Sequence, residues 1–257
     1  MTDWNPDLYL KYEAERTQPS YDLASRISVA RPATIVDIGC GPGNSTRVLR
    51  ERWPEAEILG LDSSPEMIAK ARKAYPQANW ILADASQWET AVKYDIVFSN
   101  ATLQWIPGHE TLLKRLFDRV NAGGALAIQI PTNSDSPLHH AVLEVAKREE
   151  WAGAMAGSVR DLSYHDTGFY YDQLSARSNR ISIWHTIYYH IMADHQGLID
   201  WYASTGMRPY LERLITDEQR TLFQAQVLEK CRPGYPEQQN HKLLFPFKRL
   251  FFVAYKE

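Results

Sequence analysis

The chain of 257 residues is poor in cysteine, with only Cys40 and Cys231. So far apart, they suit neither a zinc site nor a disulfide framework, and a reducing cytoplasmic setting is expected, with no metal. No apolar run reaches the roughly 18 residues that a membrane-spanning helix requires. The opening Met-Thr-Asp-Trp-Asn-Pro lacks the basic and apolar stretches of a secretory signal. Positive charge is not in excess, since 28 Lys and Arg face 31 Asp and Glu for a formal charge of −3. That balance gives no general attraction to nucleic acid. Repeats and low-complexity tracts are also absent. Apolar residues make up 44% of the chain, enough for one globular domain spanning 1–257.

The most informative segment is Ile35-Val36-Asp37-Ile38-Gly39-Cys40-Gly41-Pro42-Gly43. An apolar strand runs into three glycines at alternate positions, and a helical pattern follows from Asn44 to Trp53. Glycine permits a sharp turn and lets a ligand approach bare backbone. The first N–H groups of the helix face the same place with partial positive charge. Dinucleotide-binding loops place glycines at relative positions one, three and six. Here the sixth position is Asn44, and the third glycine comes one residue early. A rigid loop containing Pro42 suits a cofactor with an amino-acid end better than a pyrophosphate. The Asp37 carboxylate would repel a pyrophosphate but attract an ammonium group, directly or through water.

Strand and helix alternate up to Ile130, which predicts a doubly wound, mostly parallel α/β sheet. The second strand, Glu57–Leu61, ends at Asp62, about 20 residues past the glycines and placed to accept from ribose hydroxyls. Ser64 is a fitting N-cap and Pro65 a fitting first helical residue. The third strand ends at Asp84-Ala85, where an acceptor suits an adenine amine. The fourth, Tyr94–Ser99, ends at Asn100. Asn121-Ala122-Gly123-Gly124 is expected to turn into a fifth strand, Ala125–Ile130. Further on, Ile181–Ile191 and Phe247–Tyr255 read as an antiparallel edge pair. Residues 1–30 read as two short helices broken near Pro19. Thr216 and Gln219 form a capping box for a helix from Asp217.

The run Val36–Gly43, followed by Asp62 and Asp84-Ala85, resembles the seven-stranded S-adenosylmethionine-dependent methyltransferases of class I. That resemblance implies a Rossmann-like fold with an antiparallel last strand, S-adenosyl-L-methionine as cofactor and S-adenosyl-L-homocysteine as product. The cofactor-binding set would be Tyr12, Asp37, Gly39, Cys40, Gly41, Asp62, Ser63, Met67, Asp84, Ala85 and Asn100. A closer resemblance, to the trans-aconitate methyltransferase family, rests on several further segments. These are Asp3-Trp4-Asn5-Pro6 with Tyr9, Tyr12 and Arg16, then Asn100–Trp105, Tyr188-Tyr189-His190, and Asp200-Trp201 with Thr205–Pro209. Residues 133–180 match least. The resemblance implies a lid from residues 1–30 and a cofactor half over 31–131. Segments 132–180 and 192–245 would be helical caps over the acceptor site.

Methyl transfer from a sulfonium is an in-line displacement, and a carboxylate acceptor is already ionised, so no general base is needed. A small tricarboxylate acceptor calls for cationic anchors. Arg208 and Arg16 are the candidates, with Trp105, Tyr188 and Tyr170 as aromatic surface, and Trp105 and Tyr188 positioning the reacting group. On a strand Tyr188 and His190 share a face and Tyr189 points away. His139, His140, His185, His190 and His195 read as structural, and Lys248 and Arg249 as solvated charges at a strand end. A hydroxyl, amine or nucleic-acid acceptor, a nicotinamide-dependent dehydrogenase and a non-catalytic cofactor-binding module remain as alternatives. The Asn100-Ala101-Thr102-Leu103 sequence argues against the nucleic-acid amino-methylating enzymes, which carry prolines and an aromatic there.

Overall fold

A computed structural model describes residues 13–156 and 162–257. The chain divides into two compact units. One comprises Arg16–Pro131, Leu162–Thr186 and Arg249–Glu257; the other includes the described parts of Thr132–Asp161, together with Ile187–Lys248. Residues 162–186, expected to belong partly to a cap, therefore group with the sheet.

Among the described residues the sheet has seven strands. They are β1 (Thr34–Ile38), β2 (Glu57–Asp62), β3 (Asn79–Leu82), β4 (Tyr94–Asn100), β5 (Val120–Pro131), β6 (Arg180–Met192) and β7 (Leu243–Tyr255). Their order is β3-β2-β1-β4-β5-β7-β6. The first five pair in parallel. β7 returns antiparallel to β5, with Gln129 opposite Phe251 and Pro131 opposite Arg249. Because the order reverses between β1 and β4, a crevice is expected at their carboxyl ends.

Alternation within β1 assigns the two faces. Val36 and Ile38 pack with Val97, Leu126, Ile128 and Phe252 beneath Leu112, Leu116 and Phe117 of the helix His109–Asp118, and beneath Tyr170 and Leu174 of the helix Thr167–Ser175. Asp37 lies between Val36 and Ile38 in sequence and so projects from the opposite face. There it meets Ser45 and Thr46 of the helix Asn44–Arg52. Helices on both faces make the sheet doubly wound.

Three local expectations change. A single helix, Glu13–Ser25, runs through Pro19 instead of breaking there. Proline removes one bond to the carbonyl four residues earlier, and burial of Leu23 and Ala24 on that helix offsets the loss. Asn121–Gly124 belongs within β5 and does not precede it, although the register with β4 shifts across it. Its strand character comes from exchange with the chain's end: Gly123 N–H donates to the Lys256 carbonyl (2.7 Å), and Lys256 N–H donates to that of Gly124 (3.0 Å). β7 begins at Leu243, four residues earlier than its sequence suggests.

The second unit has its own core, in which Trp151, Leu198, Trp201, Tyr210, Phe223, Val227 and Phe245 are buried. Its longest helix, Asp217–Cys231, starts at the expected capping box: the Thr216 hydroxyl accepts from Gln219 N–H, and the Gln219 side chain accepts from Thr216 N–H. No described helix is long and apolar enough to cross a membrane.

Candidate active site

The glycine loop after β1 is bound to the ends of β2 and β4. Gly39 and Cys40 N–H groups both donate to the Leu61 carbonyl (2.7 and 2.9 Å). Gly41 N–H donates to Asp62 Oδ2 (2.9 Å), and the Thr102 hydroxyl donates to the Gly39 carbonyl (3.2 Å). Ala83 N–H donates to the Asp62 carbonyl (3.0 Å), which brings the end of β3 into the same row. Asp37, Gly39, Cys40, Gly41, Asp62, Asp84, Ala85 and Asn100 thus lie along the carboxyl ends of β1 to β4.

Two of the glycines are required for different reasons. Gly39 has φ +71°, and a Cβ there would sit 2.1 Å from the Thr102 hydroxyl, so the residue accommodates packing. Gly41 has φ +55°, and a Cβ there would meet nothing within 4 Å. Its open side is where a ligand can approach bare backbone.

Asp37 is wholly buried. Its Oδ2 accepts from the Ser45 and Thr46 hydroxyls, both at 2.6 Å, while Oδ1 has no partner. Burial raises its pKa to about 6, against the lowering effect of the two hydroxyl bonds, and nearby Asp62 adds to the rise. A buried anionic oxygen with no donor leaves a position that a cation would satisfy. Asp62 is half-buried; its Oδ1 accepts from Ser64 N–H at 2.8 Å, so the carboxylate organises the loop as well as facing the crevice. Ser63 is exposed and Met67 half-buried at the start of the helix Pro65–Ala74, which Ser64 caps by accepting from Met67 N–H. Asp84 is exposed and accepts from Ser86 N–H, while Ala85 is buried. The buried Cys40 thiol packs with Ile68, Ala71 and Trp80, and burial pushes its pKa upward. Only its backbone is left to serve a ligand. The unpartnered Asp37 Oδ1, the open Gly41 and the half-buried Asp62 at the end of β2 fit a cofactor carrying an ammonium, a sulfonium and a ribose.

Asn100 is half-buried with Oδ1 unpartnered, and Ala101 beside it takes a left-handed φ of 54°. Trp105, half-buried, ends the short turn Leu103–Trp105 that follows. Sequence reasoning missed the residue that fixes this turn, His109. Its Nε2 donates to the Leu103 carbonyl (2.9 Å), so in the neutral ring Nδ1 accepts from the Tyr170 hydroxyl (2.8 Å). Burial lowers its pKa and favours that neutral form. The signal was a histidine three residues beyond Ile106, opening an otherwise apolar helix face.

This bonding corrects the expectation for Tyr170. Its side chain is 0% exposed, stacks on Phe252 and spends its hydroxyl on His109 and on His165 N–H, so it faces the core and presents no surface to an acceptor. Arg249 departs from expectation too, being 4% exposed instead of solvated, whereas Lys248 is exposed. Arg16 lies half-buried on the helix Glu13–Ser25. Tyr12 falls outside the described residues, as do Asp3–Pro6 and Tyr9.

In the second unit, Tyr188 is half-buried on β6 with its ring nearly parallel to that of His190, while Tyr189 is exposed, which is the face assignment expected. His190 packs on Trp201, and His195 Nε2 donates to the Tyr235 carbonyl (2.9 Å). Arg208 opens a short helix with its side chain 53% exposed, and its Nε donates to Glu212 at 2.6 Å.

Residues 35–124 match a family described as a methyltransferase domain. The chain is 41% identical to a trans-aconitate 2-methyltransferase of Rhodopseudomonas palustris (strain BisB5) over 258 residues, covering 100% of both chains. It is 42% identical to the protein of that name from Escherichia coli O157:H7, covering 99% of this chain and 98% of the other. Among solved structures, the YcgJ protein of Bacillus subtilis has a TM-score of 0.59 at 12% identity, covering 93% of this chain and 99% of that one. The plantazolicin methyltransferase BpumL, solved in complex with a triazolic desmethylPZN analogue and SAH, has a TM-score of 0.54 at 17% identity, with 98% and 91% covered. The two structures establish the shared fold, and the end-to-end similarity to curated relatives establishes more: this chain belongs to the trans-aconitate 2-methyltransferase family.

Proposed function

We propose that this protein is an S-adenosylmethionine-dependent O-methyltransferase that converts one carboxylate of trans-aconitate to its methyl ester. The observation that carries the reading is full-length similarity, at 41–42% identity, to enzymes named for that substrate. The acid-lined crevice supports it. When bound, S-adenosylmethionine supplies a methyl group on a positively charged sulfur, which is open to in-line attack.

The chain's residues have two tasks in this reaction. Asp37 and the backbone of Gly39–Gly41 hold the amino-acid end of the cofactor. Asp62, Ser63, Met67, Asp84 and Ala85 hold its nucleoside, with ribose hydroxyls donating to Asp62. Asn100 closes the row. The other task is to present the acceptor. Its carboxylates are ionised at neutral pH, so the protein need not remove a proton. Fixing donor and acceptor in attack geometry lowers the barrier by roughly 7–11 kcal/mol. Tight donors on the attacking oxygen would blunt it, so arginine serves the carboxylates that do not react. Arg208 suits that role: Glu212 engages its Nε, and its terminal nitrogens carry no bond among the described residues. Arg16 is the second candidate anchor, and Trp105 and Tyr188 are the candidate aromatic residues for positioning the reacting group.

The formal charge of −3 supports a small acceptor over nucleic acid, and two free, buried thiols support a cytoplasmic setting. A mass-spectrometric screen of di- and tricarboxylic acids with cofactor tests the proposal. The expected product is trans-aconitate carrying one added methyl; methylation of a different acid in preference would reassign the substrate.

A further inference from the structure

β5 reads Ala125-Leu126-Ala127-Ile128-Gln129-Ile130, an apolar run interrupted by one amide. Gln129 is 0% exposed. Its Oε1 accepts from Arg249 Nη1 at 3.3 Å. An arginine only donates, so this bond fixes which end of the amide is oxygen. The remaining end, Nε2, is buried without a partner. Across the parallel register Gln129 stands beside Asn100, whose buried Oδ1 is also unpartnered. Buried amide groups without partners are costly, and two adjacent ones at the carboxyl ends of neighbouring strands mark a place where something else binds.

The topology says which ligand. The nucleoside side of the crevice is at Asp62 and Asp84, on β2 and β3, and the amino-acid side is at the β1 loop. The sheet order then continues through β4 to β5 and β7. Gln129 therefore lies one strand beyond the crevice, on the side left to the acceptor. A donor held against a guanidinium suits an anion with oxygen acceptors. We infer that Gln129 Nε2 donates to a carboxylate of the acid being methylated, with Arg249 as the positioning residue that holds the amide in this orientation. The inference rests on the proposed function and adds a substrate-binding residue on β5.

Gln129→Glu separates binding from support. It keeps an acceptor for Arg249, and so keeps the fold, but replaces the donor with an anion. The expected result is S-adenosylhomocysteine affinity within about twofold of the native protein and a KM for trans-aconitate raised about 10- to 100-fold, the effect of one hydrogen bond to a charged group. A KM within twofold of native would overturn the inference, because Gln129 would then serve only Arg249. Should the Glu variant lose its cooperative thermal transition, Gln129→Met, which fills the same space with no polar atom, is judged by the same two measurements. The native protein is titrated alongside with trans-aconitate in the presence of S-adenosylhomocysteine. If it neither binds nor esterifies the acid, the function itself is wrong and the inference falls with it; native binding with unchanged variant KM removes the inference alone.

Discussion

Asp37 is the residue on which cofactor recognition turns. Its pKa of about 6 in the folded protein lies above the ordinary 3.8 because burial penalises the anion. The folded state therefore holds its proton more tightly than the unfolded state. The resulting destabilisation is absent below about pH 4, grows as pH rises, and is complete above about pH 6. A cofactor ammonium beside the unpartnered Oδ1 favours the ionised form. Affinity for S-adenosylhomocysteine should accordingly fall as pH drops through 6. Asp37→Asn should flatten that pH profile, weaken binding at pH 7 roughly tenfold, and stabilise the ligand-free protein by about 1–3 kcal/mol. Calorimetric titrations from pH 5 to 8 with thermal melts check all three, and an unchanged profile in the variant would remove Asp37 from the cofactor site. The glycines make a second test. Gly39→Ala meets Thr102 and should cost about 1–3 kcal/mol of stability. Gly41→Ala meets no protein atom, so it should cost about 1 kcal/mol through its left-handed φ and lose chiefly cofactor affinity. Equal loss of stability in the two variants would contradict this division.

At the level of elements, the turn after β4 is fixed from two sides. His109 holds the Leu103 carbonyl, and Ser163 N–H donates to that of Gln104 (2.8 Å). Tyr170→Phe removes the hydroxyl that His109 Nδ1 accepts from, and should lower stability by about 1–3 kcal/mol without a selective rise in the KM for trans-aconitate. A rise confined to that KM would restore Tyr170 to the acceptor site. Much at this scale was legible in advance. The β1 strand, its glycine loop, the Ser64–Pro65 helix start and the Thr216–Gln219 capping box are all local patterns, written in residues no more than a few positions apart. What was not legible depends on distant partners. Tyr170 and Tyr171 look alike in sequence, yet the first faces Phe252 and the second is exposed. Arg249 looks like a solvated strand end until β7 lies against β5 and places it beside Gln129. The helix through Pro19 likewise depends on burial, which outweighs a local breaker.

For the molecule as a whole, the alternatives left open by the sequence differ in what the crevice holds. The loop offers carboxylates where a dinucleotide pyrophosphate would need positive charge. Titration should show S-adenosylhomocysteine binding and little NADH binding, and the reverse order of affinity would return the dehydrogenase alternative. Chemistry at the acceptor is the more direct question, since hydroxyl, amine and carboxylate acceptors all accept a methyl group but give products of different lability. Incubating the native protein with S-adenosylmethionine labelled in its methyl group and trans-aconitate, an acid with neither hydroxyl nor amine, tests the carboxylate acceptor directly. Label is expected to be transferred to the acid and released as methanol on mild alkaline hydrolysis, as a carboxylate ester requires. Label that stays on the acid through that treatment, or no transfer at all, would contradict it.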